Sequence, residues 1–149
     1  MMTKELKFYR CLDCGYVLEV LDFGTRQVIT KGESFAKSTT IADAKLICCN
    51  KEMELLVPNT VDASGEKHLP VVEFLEGGRI SVKVGSVTHP MIESHYIKWI
   101  TVASGDKVQR VILDPGQAPE AIFDIGGEID VNVYAYCNLH GLWKTSAKK

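Results

Sequence analysis

The sequence predicts an all-β protein in which a small cysteine-rich module precedes a β-sandwich or small barrel. Residues 79–84 and 129–136 alternate polar and apolar side chains, which is the pattern of half-buried strands. Turn signals that contain glycine, such as Ser104-Gly105-Asp106, separate the β-rich segments from one another. Short strands with turns at this spacing favour a sandwich or barrel over a helical fold.

The predicted strands pair as hairpins along the second part of the chain. Glu76-Gly77-Gly78 predicts a turn after a strand at residues 71–75, and Ser104-Gly105-Asp106 predicts a turn between residues 96–102 and 107–113. In the last predicted strand, the alternation places four apolar side chains on one face. These side chains are Ile129, Val131, Val133 and Ala135.

We place a domain boundary near Val57-Pro58-Asn59, which divides the chain into residues 1–57 and 58–149. The first part is too short and polar to build a large core, and a module of this size usually needs a metal or a partner to fold. Within it, the Ser/Thr-rich residues 25–43 have little hydrophobic periodicity. We expect an extended or mobile excursion there.

The composition is typical of a globular protein and argues against two classes of partner. The 149 residues are 46% hydrophobic and 24% charged, and a formal net charge of -2 gives no reason to expect nucleic acid or a membrane surface. No apolar run approaches the roughly 20 residues that span a bilayer. Residues 1–10 lack the apolar segment of a secretory signal, so we predict a cytoplasmic location.

Four of the 5 cysteines lie in the first third of the chain, and we call them the cysteine quartet. Cys11 and Cys14 form a CxxC pair followed by Gly15, which lets two thiolates from one tight turn reach the same ion. Cys48 and Cys49 can supply the other pair only if the chain kinks, because neighbouring strand residues point to opposite faces. Four thiolates suit zinc or a single iron. A vicinal disulfide or buried spectator thiols are the alternatives.

All 4 histidines lie in the rest of the chain, in or beside predicted loops, together with the one remaining cysteine. Each of these residues alone is more often an ordinary surface or core residue than a ligand. Together, four imidazoles and one thiolate exceed the ligand set of tetrahedral zinc and suit a redox iron with one free coordination position. The predicted ligands are His68, His89, His95, Cys137 and His140.

Several motifs occur in a characteristic order between about residue 8 and residue 144. They are Cys11-Leu12-Asp13-Cys14-Gly15, the Cys48-Cys49 pair, Glu66-Lys67-His68, His89-Pro90-Met91 and Tyr136-Cys137-Asn138-Leu139-His140-Gly141. Together they resemble the desulfoferrodoxin family, which is the two-iron form of superoxide reductase. The last two motifs, with Glu66-Lys67-His68 upstream, are the most specific part of the resemblance.

The resemblance implies two iron centres and an enzyme activity. A desulforedoxin-like N-terminal module would bind iron, or zinc in a recombinant sample, through the cysteine quartet. An immunoglobulin-like β-sandwich would hold the second iron, with four equatorial imidazoles and the Cys137 thiolate on the axis opposite the free position. The expected reaction is the one-electron reduction of superoxide to hydrogen peroxide without O2 production. The family also implies a rubredoxin-like electron donor, a homodimer, and an anaerobic or microaerophilic cell.

The resemblance also assigns roles to residues beside the ligands. Lys67 would attract superoxide through its positive charge, and Glu66 would supply the carboxylate that occupies the free position after turnover. Backbone N–H groups near Asn138 and Leu139 are expected to donate to the axial sulfur and tune its potential. The connection between the two cysteine pairs is longer than the family pattern, with residues 25–43 as the insertion.

The residues also leave other functions as alternatives. A cupredoxin-like or rubredoxin-like electron-transfer protein without enzymatic activity would use the same ligand types. Blue-copper sites, however, usually use two histidines and place the methionine after the cysteine, whereas Met91 precedes Cys137. A zinc-stapled binding module would be colourless, and a superoxide dismutase would release O2. Simple assays therefore distinguish these functions.

Overall fold

A computed structural model of the chain describes residues 3–21, 27–30, 33–36 and 45–149. The chain divides into two compact units, Leu6–Leu56 and Val57–Lys149, and the second also includes the first residues of the chain up to Glu5. Strands dominate both units, which confirms the all-β prediction. Among the described residues, no helix has the length and apolar character that a membrane span requires.

The smaller unit is built from short antiparallel strands. They are β1 (Phe8–Arg10), β2 (Val17–Glu19), β3 (Gln27–Thr30), β4 (Glu33–Ala36), β5 (Ile47–Cys48), β6 (Lys51–Glu52) and β7 (Glu54–Leu55). One sheet has the order β2-β1-β7, while β3 pairs with β4 and β5 pairs with β6. Its buried side chains include Phe8 and Met53. The expected excursion at residues 25–43 lies outside the described residues except for the β3–β4 pair.

The larger unit begins with a single helical turn and continues as seven strands. Its elements are α1 (Gly65–His68), β8 (Pro70–Leu75), β9 (Arg79–Val84), β10 (Ile97–Ser104), β11 (Lys107–Ile112), β12 (Glu120–Asp124), β13 (Asp130–Cys137) and β14 (Gly141–Lys148). They form a four-stranded sheet of order β11-β10-β13-β14 and a three-stranded sheet of order β12-β9-β8, and every pair is antiparallel. This four-plus-three division is that of immunoglobulin-type sandwiches.

The two sheets share one hydrophobic core. Ile80 and Val82 from β9 are fully buried in it, as are Val131 and Val133 from β13. Because side chains alternate between the faces of a strand, these pairs lie on the inner face of each sheet. Ile129, which the alternation places with them, instead precedes β13 and is 49% exposed.

β14 lies beyond the last strand that the sequence pattern predicts, and it brings two candidate ligands together. It pairs with β13 up to the Cys137–Gly141 position, so residues 138–140 form the tip of a hairpin. Cys137 ends β13, and His140 directly precedes β14. On the other side of β13, Ile97 of β10 is paired with Cys137. The loop that carries His95 therefore reaches the same end of the sandwich.

Candidate metal centres

Two tight turns present the cysteine quartet. In the first, the N–H of Gly15 donates to the Cys11 carbonyl at 3.0 Å, and the N–H of Cys11 donates to the Tyr16 carbonyl at 2.9 Å. Gly15 has φ +76°, a left-handed conformation that glycine adopts at little cost. This turn holds Cys11 and Cys14 on one side of the loop.

The second turn contains the kink that the vicinal pair requires. Cys49 and Asn50 connect β5 to β6, and both have positive φ, 51° and 59°. Two consecutive left-handed residues are the conformation of a type I′ hairpin turn. The turn redirects the chain after Cys48, so that Cys48 and Cys49 can face a common point.

The sulfur atoms of the quartet have the spacing of a tetrahedral thiolate site. All four lie within 4.8 Å of one another. The Cys14 and Cys48 sulfurs are 3.5 Å apart, and those of Cys48 and Cys49 are 4.0 Å apart. A tetrahedron with metal–sulfur bonds of about 2.3 Å has edges of about 3.8 Å, between these two distances.

The thiols of the quartet differ in their affinity for protons. A hydrogen bond from the Cys14 backbone lowers the pKa of Cys11 to about 7, while hydrogen bonds to Cys14 raise the pKa of Cys48 to about 12. The thiolate of one residue is therefore stabilised by the retained protons of its neighbours. A bound cation replaces those protons, because metal ligands must be deprotonated.

The four histidines form a square of imidazoles in the larger unit. Neighbouring ring centroids are 4.7, 4.6, 4.9 and 4.8 Å apart, and neighbouring ring planes are inclined by 74, 79, 79 and 88°. One pair of opposite rings is 6.1 Å apart with planes inclined by only 31°. The rings, in order around the square, are His68, His89, His95 and His140.

Backbone carbonyls fix the outer nitrogen of two of these rings. The Nδ1 of His68 lies 2.7 Å from the Ser64 carbonyl oxygen, and the Nδ1 of His89 lies 2.6 Å from that of Pro90. A neutral imidazole that donates from Nδ1 keeps a lone pair on Nε2. Both rings are therefore oriented as metal ligands through Nε2.

The inner nitrogens lack ordinary partners. The buried Nε2 atoms of His89 and His95 have no hydrogen-bond partner among the described residues. The Nε2 of His68 lies 3.0 Å from the Nδ1 of His140. His140 therefore faces the centre of the square with Nδ1, whereas the other three rings face it with Nε2. Burial lowers the pKa of His89 to about 4 and also lowers those of His68 and His95. These three rings are therefore neutral at physiological pH and able to bind a metal.

Cys137 completes this second cluster. Its buried sulfur lies within 4.8 Å of the ligand nitrogens of three histidines and 3.8 Å from the Nδ1 of His140. Burial raises its pKa, while backbone N–H groups of His140 and Leu139 lower it in part. Backbone donors were expected near Asn138 and Leu139, and they are the N–H groups of Leu139 and His140, whereas the Asn138 N–H itself donates to the Tyr96 carbonyl at 3.2 Å. The distance from the His140 backbone nitrogen to the Cys137 sulfur is 3.4 Å.

The two predicted charged residues are exposed and lie on α1. Burial is the main cause of the lowered pKa values of His68 and His95, and the positive charge of Lys67 lowers both further. The field of Lys67 therefore reaches two opposite rings of the square. The Glu66 carboxylate accepts a hydrogen bond from the Ser64 hydroxyl at 3.4 Å and forms no ion pair with the described histidines.

A glycine fixes the position of α1. Gly85 has φ +84°, and a Cβ at this residue would collide with the Val87 carbonyl oxygen and lie 2.7 Å from that of Lys67. The Val87 N–H also donates to the Glu66 carbonyl at 3.1 Å. Only glycine allows this close approach of α1 to the turn after β9.

The model of the family described as Desulfoferrodoxin matches residues 60–146. The chain belongs to the desulfoferrodoxin family. A desulfoferrodoxin from Desulfarculus baarsii is 44% identical over 96% of this chain and 98% of its own length. A desulfoferrodoxin homolog from Methanothermobacter thermautotrophicus is 45% identical over 95% and 99%. The crystal structure of the superoxide reductase from Treponema pallidum has a TM-score of 0.67 and 31% identity, covering 95% of this chain and 99% of that one.

In this member of the desulfoferrodoxin family, sequence reasoning missed the side-chain contacts of two residues beside the ligands. The Trp143 ring stacks on His68 at 4.7 Å, and its Nε1–H donates to the His140 carbonyl at 3.2 Å. The Asn138 side chain bonds to the backbone on both sides of His95. Both residues lie in or beside the last family motif, but nothing in their spacing indicates these contacts.

Proposed function

We propose that the chain is a superoxide reductase, which reduces superoxide to hydrogen peroxide with one electron and two protons and releases no O2. The square of four imidazoles with the Cys137 sulfur beside it carries this proposal. The activity named for the structural relative from Treponema pallidum supports the same function.

The donor set fits iron. Two nitrogens at right angles, each about 2.1 Å from one ion, are about 3.0 Å apart, and the His68 Nε2 and His140 Nδ1 atoms are separated by 3.0 Å. The unpartnered Nε2 atoms of His89 and His95 are costly to bury unless they bind something. Five ligands of mixed nitrogen and sulfur type leave a position free on a six-coordinate ion such as iron, which four-coordinate structural zinc does not offer.

When bound, ferrous iron supplies the electron that reduces superoxide. His68, His89, His95 and His140 would hold it, with Cys137 as the fifth ligand. The Cys137 sulfur is a stronger electron donor than a fifth imidazole. The N–H groups of His140 and Leu139 stabilise its negative charge and so moderate that donation.

Lys67 would bring the anionic substrate to the site. Its charge is exposed and reaches the rings of His68 and His95. A cation at the mouth of a site raises the association rate of an anion, and salt weakens this effect. Glu66 is proposed to provide the carboxylate that occupies the free ligand position between turnovers. This role requires its side chain to leave the Ser64 hydroxyl.

The cysteine quartet would hold a second iron that stores or relays an electron. Its four sulfurs fill a tetrahedral coordination shell, so this centre has no position for substrate. Since Cys14 and Cys49 are exposed, the centre is accessible to an electron donor. A rubredoxin-like donor, a homodimeric assembly and a cytoplasmic location belong to the same proposal.

Anaerobic metal analysis with pulse radiolysis of the reduced protein tests the function. We expect iron at the histidine–cysteine site, fast consumption of superoxide, and peroxide formed in proportion to the reductant supplied. Copper in place of iron would favour a cupredoxin-like protein, and O2 release would indicate dismutation. Absence of a fast reaction in the iron-loaded protein would refute the proposal.

The role of Lys67 has its own test. Lys67→Ala should lower the second-order rate by about 10-fold and weaken its dependence on salt. Lys107→Ala is the matched control, since it removes the same charge at the Ser104 end of β10, roughly 23 Å of strand from the site. Equal rates and equal salt dependence for the two variants would show that Lys67 does not steer superoxide.

A further inference from the structure

His95 is held differently from the two histidines that precede it. His68 and His89 are each fixed by a backbone carbonyl at Nδ1. In the described part of the chain, no hydrogen bond reaches the Nδ1 of His95. His95 is also less buried than the other two. The direction of its ring therefore depends on the backbone that carries it.

Hydrogen bonds hold that backbone from two sides. On one side, His95 and Ile92 exchange two backbone hydrogen bonds, of 2.9 and 3.1 Å. On the other side, the Asn138 Oδ1 accepts from the Tyr96 N–H at 2.9 Å, and the Asn138 Nδ2 donates to the Ser94 carbonyl at 3.1 Å. The backbone N–H of Asn138 adds a bond to the Tyr96 carbonyl at 3.2 Å.

The chemistry of the amide explains why asparagine occupies this position. One planar group offers a donor and an acceptor, and here they bond to a carbonyl and an N–H that flank a single residue. Aspartate keeps the acceptor but loses the donor, and alanine loses both. Asn138 also lies between Cys137 and His140 in the chain, so its position is tied to two other ligands.

We propose that Asn138 is a positioning residue, which fixes His95 to the hairpin tip that carries Cys137 and His140. Three of the five ligands then move as one unit, and the free coordination position keeps its shape. This inference rests on the proposed iron centre, but it concerns the geometry of the ligands and not the reaction with superoxide.

The test uses the full chain, with iron and without. Partners that orient metal ligands typically contribute 10–100-fold to metal affinity. We therefore expect Asn138→Ala to weaken Fe²⁺ binding at the histidine–cysteine site by about 10-fold or more, measured by competition with a chelator. Hydrogen exchange of residues 92–97, followed by mass spectrometry, should become faster. Asn138→Asp keeps the acceptor for the Tyr96 N–H, so hydrogen exchange of this N–H should stay slow. Because this variant loses the donor to the Ser94 carbonyl, it should still bind Fe²⁺ more weakly.

Asn132→Ala is the matched control. The Asn132 side chain also donates one hydrogen bond, to the Lys4 carbonyl at 3.2 Å, and accepts one, from Ser146 at 2.6 Å. It lies near the opposite end of β13 from Cys137. We expect this variant to lose stability but to keep the Fe²⁺ affinity and the slow exchange of residues 92–97.

Two results separate failure of this inference from failure of the proposed function. If Asn138→Ala matches Asn132→Ala in Fe²⁺ affinity and in exchange at residues 92–97, Asn138 does not position His95. If the unaltered chain holds no iron at this site, the proposed iron centre fails. In that case, hydrogen exchange of residues 92–97 in the iron-free Asn138→Ala and Asn132→Ala variants still decides whether Asn138 fixes the His95 backbone.

Discussion

Acid should destabilise the iron-free sandwich through its buried histidines, and His89 gives the effect a magnitude. Burial lowers its pKa from 6.5 to about 4. Above pH 6.5 the ring is neutral in the folded and unfolded chain alike, so it has no effect on stability. Below pH 6.5 the His89 ring binds a proton in the unfolded chain, whereas in the folded chain it binds this proton only near pH 4.

The free energy of unfolding must therefore fall as the pH falls through this window. Each tenfold difference in proton affinity is worth about 1.4 kcal/mol, so His89 accounts for a total of about 3 kcal/mol. About 2 kcal/mol of this is lost between pH 7.5 and pH 5. His68 and His95 add losses of the same sign, because their pKa values are also lowered by burial.

Urea unfolding of the iron-free protein at pH 7.5 and pH 5 measures this loss. Both tryptophans, Trp99 and Trp143, lie in the sandwich, so their fluorescence reports on that unit. His89→Asn removes the titration and retains a donor for the Pro90 carbonyl, so it should lose about 2 kcal/mol less than the unaltered chain over this range. Equal losses in the two proteins would refute the assignment of the acid sensitivity to His89.

Three further predictions concern the metal centre and the glycine that fixes the position of α1. Fe²⁺ binding at pH 7.5 should release about one proton, because burial raises the pKa of Cys137 and lowers the pKa values of His68, His89 and His95, which are therefore already neutral. Calorimetry in buffers of different ionisation enthalpy measures the number of protons released, and release of none would show that the sulfur is not a ligand. Gly85→Ala should destabilise the sandwich by about 2 kcal/mol or more, because the left-handed φ alone costs a non-glycine residue about 1–2 kcal/mol and the new Cβ would collide with the Lys67 carbonyl. Urea unfolding that shows no loss in the free energy of unfolding would contradict this prediction. Trp143→Phe keeps a ring on His68 but loses the hydrogen bond to the His140 carbonyl, so its Fe²⁺ affinity should fall by up to about 10-fold. Trp143→Leu loses both contacts, and its Fe²⁺ affinity should fall further. Equal Fe²⁺ affinities of the two variants would exclude a role for the stacked ring.

Alternation and turn chemistry were sufficient to predict the centre of the sandwich. Residues 79–84 coincide with β9, and the glycine turn before them connects β8 to β9. The alternation predicted the strand β13 but not the burial of both its faces, and it did not predict β14, which has no clear alternation. Tyr134 and Tyr136 are as buried as the inward side chains of β13, and β14 carries polar residues over its second half. Its pairing with β13 depends on long-range contacts that periodicity does not report.

The ligands were predictable from residue type and spacing, but the groups that orient them were not. Cys49 illustrates the limit, because the need for a kink follows from two adjacent cysteines, whereas the left-handed turn that satisfies it is a property of the folded hairpin. Asn138 and Trp143 act through backbone atoms of residues whose proximity is set by tertiary structure. A sequence motif shows that such residues are present, but it does not indicate which atoms they contact in the folded protein.

The two centres depend on the fold in different ways. Each pair of the cysteine quartet lies within one local turn, so its geometry requires only that two hairpins meet. The histidine square is assembled from separate loops whose alignment is set by strand register, with Cys137 opposite Ile97 on one side and Gly141 on the other. A slip of one residue in either pairing would invert every side chain of the strand. Substitutions in the sandwich core can therefore abolish the histidine–cysteine centre without altering a ligand, while the cysteine quartet still binds its metal.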